Sequence, residues 1–341
     1  MTSPIRGLNS GTPTHADLSR RAFVRAGLAL AASASAASSA LASSQAASIQ
    51  PAAPATPATP SPNTKRTLRK AVMIGMIAGP GEKPTLTDKF KLARDCGFEG
   101  LEIDWPAPIE LDALAEAQDK SGLKIHGVVN SVHWSLHLNS PDAKVRAEAI
   151  KALESCVNAA ATLKASSILL VPGVVNASMS YADCYTLSQQ SIREVLPMAQ
   201  AKGITIAVEN VWNGFLLSPL EAAKYVDDLA SPAAAFHFDI GNIINFGWPE
   251  HWIDTLGARI AKLHIKDFSR KKRDNEGLWK GFDVELGEGD AGWDRTMKAL
   301  DRVGYSTDPR GLWATAEVRG GNEERLKQIS TQMDALFAKG A

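Results

Sequence analysis

Cysteine is scarce: Cys96, Cys156 and Cys184 are the only three in 341 residues, an odd count with no C-x-x-C spacing. This excludes a disulfide framework and a zinc knuckle, and the three thiols read as small buried side chains in separate helical patterns. Charge of one predominant sign is also missing, since Lys+Arg and Asp+Glu are both 37. Without such an excess there is no electrostatic basis for expecting nucleic acid or an anionic membrane as partner, and a small-molecule ligand is the expectation. Beyond the N-terminal region no apolar run is long enough to span a bilayer. What is present is 45% hydrophobic content over a length that supports one large domain or two ordinary ones with a substantial core.

The N-terminus carries Ser19-Arg20-Arg21-Ala22-Phe23-Val24-Arg25, followed by a short, weakly apolar Ala/Leu/Ser run over 26–37. The pattern resembles a twin-arginine export signal, with Ala40-Leu41-Ala42 as an A-x-A cleavage site. Residues 1–42 are therefore expected to be a signal peptide and the protein periplasmic, with no stable membrane insertion after cleavage. Their removal leaves 33 basic and 36 acidic residues, a net charge of −3. The stretch 51–62, PAAPATPATPSP, cannot continue a helix or build a core, so 43–70 reads as a disordered Pro/Ala-rich tether. The catalytic domain is expected over 71–341. Export by a route that carries folded proteins suits a metalloprotein that selects its ion before leaving the cytoplasm.

From residue 71 onward, short apolar runs alternate with longer segments whose apolar residues recur every three or four positions. Strands are expected at 71–77, 100–103, 124–129, 167–171, 205–209, 235–239, 261–265 and 313–317. Helices are expected at 86–96, 109–120, 142–164, 180–201, 219–229, 249–257, 292–303 and 323–338. Ser140-Pro141-Asp142 and Ser218-Pro219-Leu220-Glu221 supply helix starts. Eight strand–helix repeats over this span predict an α/β fold, a closed (β/α)8 TIM barrel. An open doubly wound sheet is disfavoured because no G-x-G-x-x-G follows the first strand.

Barrel chemistry comes from the carboxyl ends of the strands. The last four predicted strands each deliver one metal-competent side chain there: Glu209, Asp239, His264 and Glu317. Two Glu, one Asp and one His suit a single divalent ion, Mn²⁺, Mg²⁺, Co²⁺ or Zn²⁺, with positions left for substrate. Ion pairing among them without a metal is the alternative, weakened by the mutual repulsion of three converging carboxylates.

The runs Val208-Glu209-Asn210-Val211-Trp212-Asn213, Phe238-Asp239-Ile240-Gly241-Asn242 and His264-Ile265-Lys266-Asp267, with Arg270 six residues after His264, carry a family resemblance. Gly287-Glu288-Gly289-Asp290 and Ala316-Glu317 extend it. Over about residues 71–338 the chain resembles the sugar phosphate isomerase/epimerase group with the xylose-isomerase-like barrel. The resemblance implies that Glu209, Asp239, His264 and Glu317 hold the metal, that Glu209 and Glu317 also move protons, and that Arg270 holds a substrate oxygen. Two positions depart from the ketose 3-epimerases of that group. Asn242 stands where they carry a His three residues after the metal-binding Asp, and Phe215 where they carry a second Glu.

A metal bound to adjacent oxygens of an α-hydroxy carbonyl stabilises the enediolate formed when a neighbouring C–H is lost. The expected activity is thus sugar isomerisation or epimerisation. Candidate substrate-binding residues are Arg270, His133, Glu102, Asn242, Lys266 and Trp212, the last as a stacking face, while His237 reads as core. The run Arg270-Lys271-Lys272-Arg273 reads as a solvated loop. The alternatives are a lyase or hydratase of keto-sugars or keto-glycosides, and a non-catalytic periplasmic carbohydrate-binding protein. An apurinic endonuclease of related fold would need more His ligands and a basic groove. A carbohydrate is the expected partner, and a homo-oligomer stays open.

Overall fold

Strands that are apolar on both faces must be covered on both, which parallel strands achieve by passing through a helix before returning to the sheet. The computed structural model, which describes residues 65–308 and 311–340, shows this arrangement carried to closure. Its strands are β1 (Arg69–Met73), β2 (Gly100–Trp105), β3 (Lys124–Asn130), β4 (Ser167–Leu170), β5 (Thr205–Glu209), β6 (Ala234–Asp239), β7 (Ile260–Ile265) and β8 (Trp313–Ala316). Each pairs in parallel with the next, and β8 pairs with β1. The helices are α1 (Leu86–Asp95), α2 (Leu111–Ser121), α3 (Ala143–Thr162), α4 (Tyr181–Ala201), α5 (Pro219–Asp228), α6 (Pro249–Leu256), α7 (Arg270–Glu276), α8 (Trp293–Arg302) and α9 (Glu323–Phe337). The fold is the expected closed (β/α)8 barrel.

Local chemistry starts the helices where the sequence indicates. Asp142 caps α3, accepting from Lys144 N, and Ser218 caps α5 with Pro219 in its first turn. Thr85 and Asp88 close a reciprocal capping box on α1.

Two boundaries differ from expectation. The barrel begins before residue 71: Arg69 pairs with Trp313, and the Arg66 guanidinium binds both oxygens of Asp301 and the carbonyls of Phe337 and Lys339. Reading apolar runs overlooks such residues because arginine contributes here through its head group, Arg69 also lying 4.0 Å over the Trp313 ring. After Met73 the chain leaves β1 in a 3-10 turn, Ile74–Met76, instead of continuing as strand. The second difference is α7, built from 270–276, where a solvated loop was expected. Its sequence RKKRDNE has no apolar stripe to announce a helix. The expected signal peptide, 1–42, and the tether as far as residue 64 lie outside the described residues. No described helix is long and apolar enough to cross a membrane.

The apolar core fills the annulus between strands and helices. The barrel axis is different. Barrel interiors are usually filled by branched apolar side chains, but here Glu102, His126, His237, Lys262 and Thr315 are all buried there, each at most 3% exposed. They project from β2, β3, β6, β7 and β8, and several meet across the barrel.

Candidate active site

Glu209 ends β5, Asp239 ends β6, His264 is the penultimate residue of β7, and Glu317 follows β8 directly. The register sets Asp239 beside His264, and His264 beside Thr315, so side chains two residues apart along one strand occupy successive inward levels. Ligand atoms from Glu209, Asp239, His264 and Glu317 all lie within 4.8 Å of one another. The four residues expected to converge do converge.

His264 is the hub. Its Nδ1 is 3.1 Å from Glu209 Oε1, 3.1 Å from Glu317 Oε2 and 3.9 Å from Asp239 Oδ2. Its Nε2 lies 2.9 Å from Glu102 Oε2. Glu102 was expected to meet a sugar hydroxyl, but it is 1% exposed, and its other oxygen accepts from Thr315 Oγ1 at 3.0 Å. It therefore backs the histidine. Gly127 leaves room for it, since a Cβ there would sit 3.0 Å from Glu102 Cγ.

Below this level the polar contacts continue. Thr315 Oγ1 is 3.1 Å from His126 Nε2, and His126 Nδ1 is 3.0 Å from Lys262 Nζ, which also donates to Ser166 Oγ at 2.9 Å. Burial lowers the Lys262 ammonium to about 7. His237, one level under Asp239, packs edge-on against His264 at 4.2 Å, and burial holds it neutral, near 3.

Lys266, expected as a substrate contact, pairs with the acids instead. Its Nζ is 2.9 Å from Asp239 Oδ2 and 2.6 Å from Glu317 Oε2. Lys266 thus answers the charge of both oxygens, although neither contact is a well-aligned hydrogen bond. Three carboxylates and one imidazole within 4.8 Å of one another form a donor set that fits a divalent cation. Burial would push the acids up, and it does so for Glu209, raised to about 7, and for Asp239. Glu317 is held well below the carboxylate range because Lys266 and His264 outweigh burial. Burial would lower His264, but Glu317 and Glu102 raise it well above the usual imidazole value.

The remaining expectations divide. His133 lines the cavity above the acids, and its Nδ1 accepts from Val171 N at 3.2 Å. That leaves Nε2–H as its donor, and burial lowers the ring to about 4, so it stays neutral. Trp212 also lines the cavity, its Nε1 donating to Asn242 O at 2.6 Å. Asn242 reaches the same cavity, but its Nδ2 is committed to Asn210 O at 3.0 Å and its Oδ1 faces Lys266 Nζ at 3.4 Å.

Arg270 is not among the cavity residues. Its side chain donates to Ile244 O at 2.9 Å and Gly247 O at 2.7 Å, tying α7 to the loop after β6. The structure thus gives it a scaffolding position in place of the expected contact with a substrate oxygen. Asp267 accounts for the glycine motif near 287. It accepts from the backbone N–H of Phe268, Gly287, Gly289 and Ala291 and from Trp293 Nε1, all within 3.2 Å. A Cβ on Gly289 would collide with Asp267 Oδ1, so close approach demands glycine.

Sequence reasoning missed the interior partners Lys262, His126 and Thr315, and the wall formed by Trp279 and Phe282 beyond α7. The signal for two of them was available: Lys262 and Thr315 stand two residues before His264 and Glu317, the same offset that placed His237 inside.

Comparison with known proteins agrees with the fold. Residues 90–338 match the family model described as xylose isomerase-like TIM barrel. The chain is similar to a 2-epi-5-epi-valiolone 7-phosphate 2-epimerase of Actinoplanes sp., 25% identical over 255 residues, covering 72% of this chain and 87% of that protein. It is also similar to an L-ribulose-5-phosphate 3-epimerase of Salmonella typhi, 24% identical over 233 residues, covering 64% of this chain and 78% of the other. Among solved structures, a D-tagatose 3-epimerase-like protein superposes with a TM-score of 0.65 at 19% identity, covering 79% of this chain and 97% of that one.

Proposed function

The chain belongs to the xylose isomerase-like TIM barrel family, and from that footing we propose that it is a divalent-metal-dependent carbohydrate epimerase or isomerase, exported to the periplasm. The observation that carries the reading is the convergence of Glu209, Asp239, His264 and Glu317 at the strand ends of one closed barrel. The names of the curated relatives, both sugar-type epimerases, support the same class.

Glu209, Asp239, His264 and Glu317 would hold the cation. When bound, it supplies Lewis acidity toward a carbonyl and its neighbouring hydroxyl. The protein's own groups do the proton work. Glu209 is placed to take a proton from the carbon beside the carbonyl, the C–H electron pair becoming the C=C of the enediolate. Glu317, ionised beside Lys266 and His264, would first take a proton from water and then return it to the enediolate carbon through its carboxyl group. Delivery to the opposite face of the same carbon inverts it, and delivery to the adjacent carbon interconverts aldose and ketose. His133 Nε2–H is placed to donate to a substrate hydroxyl, and Trp212 offers a face to the ring.

The test is metal analysis of the purified protein followed by turnover of a free-ketose panel in deuterated water. Solvent deuterium at the reacting carbon is expected. Binding of sugar without exchange under any of Mn²⁺, Mg²⁺, Co²⁺ or Zn²⁺ would leave a carbohydrate-binding protein instead. Asn242 and Phe215, which replace the His and Glu of ketose 3-epimerases, favour keeping one further reading, a lyase or hydratase of keto-sugars. It predicts that a substituent or water is lost or gained, whereas an epimerase conserves substrate mass. Export is tested by fusing residues 1–50 to a reporter and locating it.

A further inference from the structure

The cavity over the acids is about 1060 Å³, at the top of the roughly 300–1,000 Å³ that encloses a drug-sized ligand. A single sugar ring is about half the size of such a ligand. The acids and His264 share this cavity with four aromatic side chains, Trp134, Trp212, Trp279 and Phe282. Trp134, after β3, is 52% exposed, and Trp279, after α7, is 68% exposed. Both line the same cavity as Glu209 and His264. Trp212 has its ring 4.9 Å from Trp279 and 5.1 Å from Phe282 while its Nε1 is pinned to Asn242 O. Large apolar faces left in water at the mouth of a cavity mark a binding surface.

Charge narrows the occupant. Of the two cationic side chains on the cavity wall, Lys266 is committed to Asp239 and Glu317, and Arg319 is exposed. Asp104 and Asp283 also line the wall. Asp283 is paired with Lys280 at 2.8 Å and lies in the field of Arg319, so the wall gathers no cluster of uncommitted cations for a phosphoryl group, and an uncharged ring needs none.

We propose that the aromatic wall is a second subsite, for a neutral sugar ring joined by a glycosidic bond to the ring that reacts at the acids. The substrate is then a disaccharide-sized glycoside, and the proposal rests on the acids being the reacting centre. Stacking on Trp279 and Trp134 supplies affinity through C–H faces, and the exposed position of both rings lets the distal sugar project into solvent.

The experiment uses the full chain loaded with Mn²⁺. Calorimetric titration compares the ketose disaccharides lactulose and isomaltulose with D-fructose and D-fructose 6-phosphate. At least one disaccharide should bind tenfold or more tightly than D-fructose, and Trp279→Ala and Trp134→Ala should each reduce disaccharide affinity several-fold more than fructose affinity. Equal binding of single and double rings, or a preference unmoved by both substitutions, overturns the proposal. Tightest binding of the phosphate overturns its neutral occupant. Light scattering that shows a dimer, with Trp279 shielded from acrylamide quenching before sugar is added, makes the wall a contact between copies and also overturns it. A disaccharide preference without solvent deuterium exchange would leave the subsite standing and remove the epimerase reading; exchange on D-fructose without preference would do the reverse.

Discussion

Glu102 Oε2 accepts the Nε2–H of His264 at 2.9 Å, across the barrel from β2 to β7. The contact leaves Nδ1 as the nitrogen that faces Glu209, Asp239 and Glu317. A carboxylate behind a ligating histidine fixes the ring's orientation and strengthens it as a donor.

Substituting Glu102→Ala is therefore expected to weaken Mn²⁺ binding by roughly 10–100-fold. Glu102→Gln, which keeps an acceptor for Nε2–H, should lose less. Calorimetric Mn²⁺ titration separates the two variants, and wild-type affinity in both would mean that Glu102 does not act through the histidine.

Removing the proton carriers should be read in turnover. Glu209→Gln and Glu317→Gln are each expected to lower solvent deuterium incorporation by about 10²–10⁴-fold, the usual contribution of a placed acid or base. Retained exchange in either variant would assign proton transfer elsewhere, with circular dichroism confirming that the barrel still forms.

Metal affinity should rise with pH through neutrality. Burial raises Glu209 to about 7, and Glu317 and Glu102 raise His264 well above its ordinary value, so in the metal-free protein both tend to hold protons at neutral pH and below. A cation must displace those protons, so binding releases them and weakens as pH falls below about 7. Titrations in buffers of different ionisation heat report the proton count, and an affinity constant from about pH 5.5 to about pH 8.5 would contradict the assignment.

Asp267 gathers five donors from its own loop and the one before α8. Asp267→Ala leaves buried N–H groups unpaired, at about 1–3 kcal/mol each where water cannot reach them. A fall of several degrees in Tm is expected, with Gly289→Ala giving a similar loss by collision with the carboxylate. An unchanged melting curve in both variants would remove the loop from the list of structural constraints.

Much of this was legible in the sequence because it is periodic or lies at strand ends. Short apolar runs locate all eight strands, and a residue at or beside the end of each of the last four is a candidate metal ligand. What resisted reading depends on contacts across the barrel. Nothing along the chain around Glu102 says that His264, 162 positions away, will occupy its carboxylate. Arg270 shows the same limit: the family resemblance points it to substrate, yet the loop after β6 offers two backbone carbonyls that claim its guanidinium. Helix α7 is invisible to hydrophobic periodicity because it buries none of its residues.

The charged and hydroxylated axis of the barrel separates two burdens that most domains carry on the same side chains. Cohesion comes mainly from the Leu, Ile, Val and Phe packed outside the strands, while the bore holds Glu102, His126, His237, Lys262 and Thr315 beneath a few apolar groups such as Val129 and Leu169. Reactivity can then be retuned from within, one inward position at a time, with the outer shell keeping the protein folded throughout.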